Sequence, residues 1–340
     1  MKDIRQGAND EIFQGSTPIL TGIDPQSSYI YLLEEAKDRT AETWEIYMQD
    51  RKDHGLNLDL TINDGAAGLI SGITKVYDEV EVQRDVFHAS YEMGKEVSKV
   101  ERKTYSLIKQ EYDIAKRKKP KPDKLKEIIP KVKEAVRICD NICILFSWLK
   151  ELLGFSGYNI KDATNLVEFV LHEMEKEALD YPGLKKECEK IRKNLPSILS
   201  FINRLEKGMC RYAEDLDVPS EAFRMMYRQL SYSAQSKQCH DMEYKLALML
   251  MQKYDQTREA FNKLLSETKK ASSLVENLNG RIRSYIEIKR VIPAQFFVLL
   301  KVYFNTRSYR RSRCKERIGK SPLEILTGKA QPDFLEALGF

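Results

Sequence analysis

The sequence predicts a mixed α/β domain that is interrupted by a large all-helical insertion, and three observations support this. Short β-rich runs alternate with helix signals over residues 8–88. From Phe87 to about Thr268 the apolar residues follow the helical period almost throughout. A helix that carries Glu276 and a final apolar helix then follow. A chain of 340 residues is long enough for two such domains.

The α/β region begins with three short β-rich runs, at residues 11–13, 19–23 and 29–33. Gly, Ser, Pro and Asp residues at 15–18 and 24–27 separate them, and these residue types favour turns. The spacing therefore predicts an antiparallel meander of three strands.

Helices and strands then alternate up to the start of the helical block. The predicted elements are a helix at 40–53 with Thr40 or Asp38 as its N-cap, a strand at 58–62, a helix at 66–77, a strand at 80–83 and a helix from Phe87. The predicted order is thus β-β-β-α-β-α-β-α.

The helical block carries many Lys/Glu pairs at turn spacing and no clear strand signal. Its prolines, which we expect to divide it into helices of ordinary length, are Pro120, Pro122, Pro130, Pro182, Pro196 and Pro219. We divide the chain into the first part of the α/β domain (1–90), the helical insertion (91–268), the completion of the α/β domain (269–304) and a basic C-terminal tail (305–340).

The composition excludes several classes of protein. Hydrophobic residues make up 42% of the chain and charged residues 31%, as in ordinary globular proteins. The longest apolar run, 291–304, is too short for a membrane span, so no membrane partner is expected. The N-terminus has no apolar signal segment, and a cytoplasmic location follows as the default. The six cysteines lack a metal-binding pattern, and we expect reduced thiols.

The net charge of +5 is unevenly distributed, with strongly basic segments at 116–126 and 307–317. Lys and Arg neutralise phosphates, so either segment could bind a polyanion. A solvated linker is an equally good interpretation of the first segment. The second has aromatic residues such as Tyr309 among its arginines, which favours nucleic acid.

Three carboxylates are candidates for metal chemistry. Asp64 ends the strand at 58–62, directly before a Gly/Ala turn and a helix, which is where open α/β sheets place phosphate chemistry. Asp10 could lie on the neighbouring strand, and Glu276 could supply a third ligand from its helix. Magnesium prefers such hard oxygen ligands. Taken singly, Asp64 is more often a turn residue, Glu276 a surface residue, and Asp24 competes with Asp10 as the first acid.

Several sequence motifs occur in the order found in one known family. They are Asn9-Asp-Glu-Ile-Phe, Gly22-Ile-Asp, Asn63-Asp-Gly-Ala-Ala-Gly-Leu, Arg84-Asp-Val-Phe-His, Leu274-Val-Glu-Asn-Leu-Asn-Gly-Arg-Ile-Arg, Tyr303-Phe-Asn-Thr-Arg-Ser-Tyr-Arg-Arg and Gly319-Lys-Ser-Pro-Leu-Glu-Ile-Leu. Together they span nearly the whole chain. With these motifs the chain resembles the catalytic region of bacterial insertion-sequence transposases of the DDE type, which have a ribonuclease-H-like fold.

The resemblance implies a ribonuclease-H-like mixed sheet and an enzyme that catalyses metal-dependent cleavage and strand transfer of DNA. It implies that Asp10, Asp64 and Glu276 are catalytic and bind two Mg²⁺ (or Mn²⁺) ions. Asp85 and His88 fall where related enzymes carry a supporting Asp-x-x-His motif, although His88 fits a capping or core role equally well. The arginines expected to hold the DNA backbone are Arg281, Arg283, Arg307, Arg310, Arg311 and Arg313. A homodimer is expected by analogy, since transposition joins two DNA ends.

Two further expectations concern the limits of the resemblance. Such transposases usually carry an N-terminal helix-turn-helix region, and here the first strand begins within ten residues, so we do not expect this chain alone to recognise transposon ends. Related enzymes can stack a flipped base on an aromatic residue of the insertion, and Trp148 lies there, but its apolar neighbours favour a core position. The alternative functions are a non-catalytic regulatory remnant of a transposase and a helical scaffold with ordinary surface acids.

Overall fold

The computed structural model describes residues 1–117, 122–289, 291–312, 314–332 and 334–337. The chain forms two compact units. One, here called the sheet unit, consists of Met1–Asp85 and Lys269–Phe340, and the other, here called the helical unit, consists of Val86–Thr268. The predicted mixed α/β class is confirmed.

The sheet unit contains a five-stranded mixed sheet in the order β3-β2-β1-β4-β5. The strands are β1 (Gln6–Gln14), β2 (Thr17–Ile23), β3 (Ile30–Glu35), β4 (Leu60–Asn63) and β5 (Glu81–Arg84). The first three pair antiparallel, which confirms the predicted meander. β4 pairs parallel with both β1 and β5. Parallel pairing requires crossovers, and helices supply them here.

Helices cover both faces of this sheet. Neighbouring residues of β2 point to opposite faces, so Leu20 belongs to one buried cluster and Ile19 to another. The first cluster packs the sheet against α1 (Ala41–Asp53) and α2 (Ala67–Val76). The second packs it against α11 (Ser273–Lys289) and α12 (Ala294–Thr306). Two short helices, α13 (Pro322–Thr327) and α14 (Phe334–Ala337), follow.

Most predicted elements of the sheet unit are confirmed with small shifts of their ends. Thr40 is the N-cap of α1, and its side chain accepts a hydrogen bond from the Thr43 backbone N–H. β1 begins at Gln6 rather than at residue 11. Its first residues pair with Leu60–Ile62 of β4, and a contact so distant along the chain leaves no signal in a local pattern.

The helical unit consists of helices and one short 3₁₀ turn over its described residues. The helices are α3 (Val86–Ala115), α4 (Pro122–Leu152), α5 (Ile160–Glu177), α6 (Pro182–Ile198), α7 (Ser200–Leu216), α8 (Ser220–Gln229), α9 (Lys237–Leu250) and α10 (Tyr254–Glu267). Two buried apolar clusters hold them together. None of the described helices is long and apolar enough to cross a membrane.

Two prolines do not divide the block as predicted. Pro130 lies inside the 31-residue α4, and Pro196 lies near the end of α6. A proline inside a helix removes one hydrogen bond and leaves a carbonyl four residues earlier without its partner. Pro130 and Lys126 are both exposed, so water can solvate the freed carbonyl of Lys126. Pro120 lies outside the described residues.

Candidate active site

The pairing of β1 with β4 brings two of the predicted acids to the same edge of the sheet. Ala8 pairs with Ile62, and β4 ends one residue later at Asn63. Asp10 and Asp64 lie two residues beyond this pair, each on its own strand or at its end. Because paired residues advance together along neighbouring parallel strands, the two carboxylates come side by side.

Glu276 reaches the same place from α11. Asn279 lies one helical turn after Glu276, and its Nδ2 donates a hydrogen bond of 2.6 Å to Asp10 Oδ2. Asn279 is fully buried. The structure therefore brings Asp10, Asp64 and Glu276 together, although they are far apart in the sequence.

Burial and negative charge act together on the Asp10 carboxyl group. Burial, and to a smaller extent the charges of Asp64 and Glu276, raise its pKa to about 7, although the hydrogen bond from the Glu11 N–H acts in the opposite direction. Glu11, the next residue, also has a raised pKa because of its burial and the charge of Asp64. Arg39 lies 3.4 Å from Glu11 and offsets part of this charge. The site thus concentrates carboxylates and favours a bound cation.

Buried polar atoms near these carboxylates have no hydrogen-bond partner in the structure. They are Asn279 Oδ1, Glu11 Oε2 and Asn63 Nδ2. Two of the three are oxygens, which are the ligand atoms that Mg²⁺ prefers. Among the described residues, however, no group of three or more His, Cys, Asp and Glu side chains is arranged to hold a metal ion. The donor set fits a hard cation in chemistry, and the side chains would have to move to coordinate it.

The turn after β4 fixes the backbone of Asp64. Asp64 Oδ1 accepts a hydrogen bond of 3.0 Å from the Ala66 N–H, and Arg84 Nη1 donates one of 3.1 Å to the Asp64 carbonyl. Gly65 adopts a φ of +99°, and a Cβ there would collide with the Arg84 guanidinium. The turn interpretation of Asp64 is therefore correct for its local structure, and the carboxylate still remains exposed beside Asp10.

Asp24 does not belong to this cluster. It is 3% exposed, and its carboxylate accepts hydrogen bonds from the backbone N–H groups of Gln26 and Ser27. Asp10 pairs with Thr21, and Asp24 lies three residues beyond Thr21, just past the end of β2 and roughly 10 Å away. Of the two candidates for the first acid, Asp10 is the one that lies next to Asp64.

Asp85 connects the end of β5 to the start of α11. It is 3% exposed, and its Oδ2 accepts a hydrogen bond of 2.9 Å from the Ser272 N–H and another from the Ser272 hydroxyl. The Ser272 carbonyl in turn accepts from the N–H groups of Val275 and Glu276. Asp85 thereby anchors the first turn of the helix that carries Glu276.

His88 lies in α3, and thus in the helical unit. Its Nε2 lies 3.9 Å from Glu92 Oε1, one helical turn away.

Three of the predicted DNA-binding arginines line one open pocket in the sheet unit. Arg281, Arg307 and Arg310 line it. Arg283 and Arg311 are exposed side chains outside it. Arg313 lies outside the described residues.

The expectation that Trp148 lies in the core is wrong, since 49% of this residue is exposed. The buried face of α4 carries Ile142, Leu145 and Leu149. Trp148 lies one turn after Ile144, which is also exposed, and both lie to one side of this buried stripe. Burial of its apolar neighbours in the sequence therefore does not extend to Trp148.

Asn279 and Ser272 are the two site residues that sequence reasoning missed. The signal for Asn279 was present, because an Asn three residues after Glu276 on a helix must lie on nearly the same face. Ser272 had only the weak signal of a serine directly before a helix. Its buried partner Asp85 is distant in the sequence and cannot be inferred from local pattern.

Comparison with known protein families gives a match over part of the chain. Residues 9–141 match the family described as Transposase, Mutator family. The matched segment contains Asp10, Asp64, Asp85 and His88 and ends before Glu276. A search of curated proteins finds no match. This similarity supports a transposase, and hence a protein that acts on DNA.

Proposed function

We propose that this chain is a DDE-type transposase that cleaves DNA strands and transfers them to a new site. The observation that carries the proposal is the mutual proximity of Asp10, Asp64 and Glu276. The charges of Asp64 and Glu276 both raise the pKa of Asp10. The sheet order β3-β2-β1-β4-β5, with three antiparallel strands followed by two parallel ones, supports a ribonuclease-H-like catalytic domain. The match to the Mutator family supports the same function.

The proposed cofactor is Mg²⁺ or Mn²⁺, as two ions held by Asp10, Asp64 and Glu276. When bound, these ions would neutralise charge on the phosphodiester and lower the barrier to its displacement. The chain's own groups hold the three carboxylates in place. Asn279 fixes one oxygen of Asp10, Arg84 fixes the turn that bears Asp64, and Asp85 fixes the start of the helix that bears Glu276.

The proposed reaction consists of two in-line displacements at phosphorus. Water first attacks a phosphodiester, and the bond to the leaving 3′ oxygen breaks to give a 3′ hydroxyl. That hydroxyl then attacks a phosphodiester of the target, forming a new bond to phosphorus as the target strand is cut. The raised pKa of Asp10 is consistent with a site designed for a cation, because an opposite charge nearby would favour the ionised carboxylate.

Replacement of single carboxylates tests this function. We expect Asp64→Asn and Glu276→Gln to reduce Mg²⁺-dependent cleavage on the order of a thousandfold or more, because each removes a charge that the transition state requires. The measurement is nicking of plasmid DNA that carries the coding sequence with its flanking DNA. Glu287→Gln is the matched control, since Glu287 is an exposed glutamate on the same helix. Cleavage by Asp64→Asn at the wild-type rate would show that the assignment is wrong.

A second candidate function is that of a non-catalytic DNA-binding regulator. It is favoured by the absence, among the described residues, of a cluster already arranged to hold a metal. Titration with Mn²⁺, followed by electron paramagnetic resonance, distinguishes the two. The enzyme proposal requires bound Mn²⁺ that is lost in Asp64→Asn, whereas the regulator requires DNA binding without any saturable metal site.

A further inference from the structure

The sheet unit contains a pocket that is separate from the carboxylate cluster. Its cavity volume is about 180 Å³, and it is lined by Arg281 of α11, Phe304 of α12, Ser28, and the segment that includes Arg307, Tyr309 and Arg310. Ligand pockets for small molecules usually have volumes of a few hundred Å³ or more. At about 180 Å³ this pocket is smaller, so it has room for a phosphate and one face of a base, and the rest of a nucleotide would lie in solvent.

Among the described residues, no carboxylate neutralises the positive charges around this pocket. In the part of the chain that the structure describes, no carboxylate lies within ion-pair distance of Arg281, Arg307 or Arg310. Burial lowers the pKa of Arg281, and repulsion from the nearby Arg307 guanidinium lowers it further. An anion in the pocket would relieve this repulsion.

Aromatic rings fix two of the three guanidinium groups in advance. The Arg281 guanidinium lies over the Phe304 ring at 4.7 Å from its centroid, and that of Arg307 lies over the Tyr303 ring at 5.3 Å. Stacked arginines lose little freedom when they bind a phosphate, because their planar groups are already oriented. This arrangement differs from a flexible basic surface.

The wall that contains Tyr309 is also fixed. The Tyr309 N–H donates to the Lys320 carbonyl at 2.9 Å, and the Gly319 N–H donates to the Tyr309 carbonyl at 2.9 Å. Arg317 binds the Ser28 hydroxyl at 3.0 Å and ties the same segment to the turn before β3. Among the described aromatic residues, no ring or cation stacks on Tyr309. Its ring is available to a planar ligand.

We propose that this pocket binds one unpaired nucleotide of a DNA strand, with its phosphate between Arg281, Arg307 and Arg310 and its base against the Tyr309 ring. The proposal rests on the proposed function for its substrate, DNA, and names a second contact with that substrate outside the carboxylate cluster. Base stacking on an aromatic ring accepts any base, so the pocket recognises an unpaired state rather than a sequence.

Binding of short oligonucleotides by the full chain, measured by fluorescence anisotropy in EDTA, tests the proposal. The probes are a single strand, the same strand in a blunt duplex, and an abasic strand of equal length. We expect Tyr309→Leu to weaken single-strand binding about fivefold to a hundredfold, and Tyr309→Phe to leave it near wild type. Neither change should affect the abasic strand, because that strand has no base to stack.

The arginines require a control that removes the same charge elsewhere. Arg5 is suitable, since it lies in the sheet unit and forms only an exposed ion pair with Asp59 at 3.6 Å. We expect Arg281→Ala and Arg307→Ala each to reduce the salt dependence of single-strand binding by about one phosphate contact, and Arg5→Ala to leave it unchanged. Inorganic phosphate at millimolar concentration should compete only weakly, because it lacks the base.

The outcomes separate this proposal from the proposed function. Equal loss by Tyr309→Leu on normal and abasic strands would overturn base stacking, and arginine variants that match Arg5→Ala would overturn the phosphate site. Full competition by inorganic phosphate would show that the pocket binds phosphate alone, and would overturn the proposal that it binds a nucleotide. If Asp64→Asn cleaves normally while the pocket variants lose strand binding, the catalytic assignment fails and the pocket stands. If the pocket variants bind single strands as well as wild type while Asp64→Asn loses cleavage, the pocket proposal fails and the catalytic assignment stands.

Discussion

At the scale of single residues, Asp10 links the proposed chemistry to stability. Its pKa is raised from 3.8 to about 7 in the folded chain, chiefly by burial. Between these two values the folded state holds a proton that the unfolded state has released. Stability therefore falls as the pH rises from about 4 to about 7, and the loss remains complete above that range.

We expect Asp10→Asn to remove this pH-dependent loss. The variant should melt at nearly the same temperature as wild type at pH 4 and about 2–8 °C higher at pH 8, corresponding to roughly 1–3 kcal/mol after solvent screening. The measurement is thermal unfolding in EDTA at several pH values. Asp3→Asn makes the same chemical change at an exposed position and serves as the control. A difference between Asp10→Asn and wild type that does not vary with pH would contradict the prediction.

Residue patterns singled out the three carboxylates that the structure brings together, but not the groups that hold them in place. Asp64 was indicated by its position at a strand end, whereas Asp10 was ambiguous with Asp24 until the register of β1 and β2 was known. Asn279 is visible in the sequence one helical turn after Glu276, but its role depends on a hydrogen bond to Asp10, which is distant in the sequence. Local sequence gives residue type and helical face, and only tertiary pairing gives the partner.

At the scale of secondary-structure elements, the start of α11 decides where Glu276 lies. Asp85 accepts two hydrogen bonds from Ser272, and Ser272 is 4% exposed, so water cannot replace a lost acceptor there. Asp85 therefore acts by holding the start of α11 in place, and this role requires no contact with substrate.

We expect Asp85→Ala to destabilise the sheet unit by roughly 2–4 kcal/mol and Asp85→Asn, which keeps one acceptor oxygen, by less. Hydrogen exchange should accelerate most at the first amides of α11, around Val275 and Glu276. Asp78→Ala, at an exposed position before β5, is the control. Unchanged protection of α11 in Asp85→Ala would show that this contact does not hold the helix.

Elements with a strong local period were predicted well, and those determined by distant contacts were not. The meander, α1 and α11 follow from turn residues, the Thr40 cap and helical spacing. The early start of β1 depends on β4, and the passage of α4 across Pro130 depends on solvent exposure. Neither of these is encoded in a short window of sequence.

At the scale of the whole molecule, the two sheet-unit segments that flank the helical unit in the sequence lie close together in the structure. The Ser272 N–H is 2.9 Å from the Asp85 carboxylate, although 186 residues separate the two positions in the chain. Each unit also contains its own apolar clusters. These features indicate an insertion that can be removed without opening the sheet.

We expect a variant that joins Asp85 to Lys269 through Gly-Ser-Gly to fold, because this linker spans roughly 10 Å or more and Lys269 is only three residues from Ser272. It should show a mixed α/β circular dichroism spectrum and a cooperative melt, and it should retain the Tyr309-dependent binding of single strands. The fragment 86–268, expressed alone, should be helical and melt cooperatively, since its two apolar clusters are complete. Loss of cooperative unfolding in the joined variant, with a folded fragment 86–268, would mean that the sheet unit needs its insertion. If the joined variant folds and the fragment 86–268 is disordered, the helical unit needs the sheet unit in order to fold.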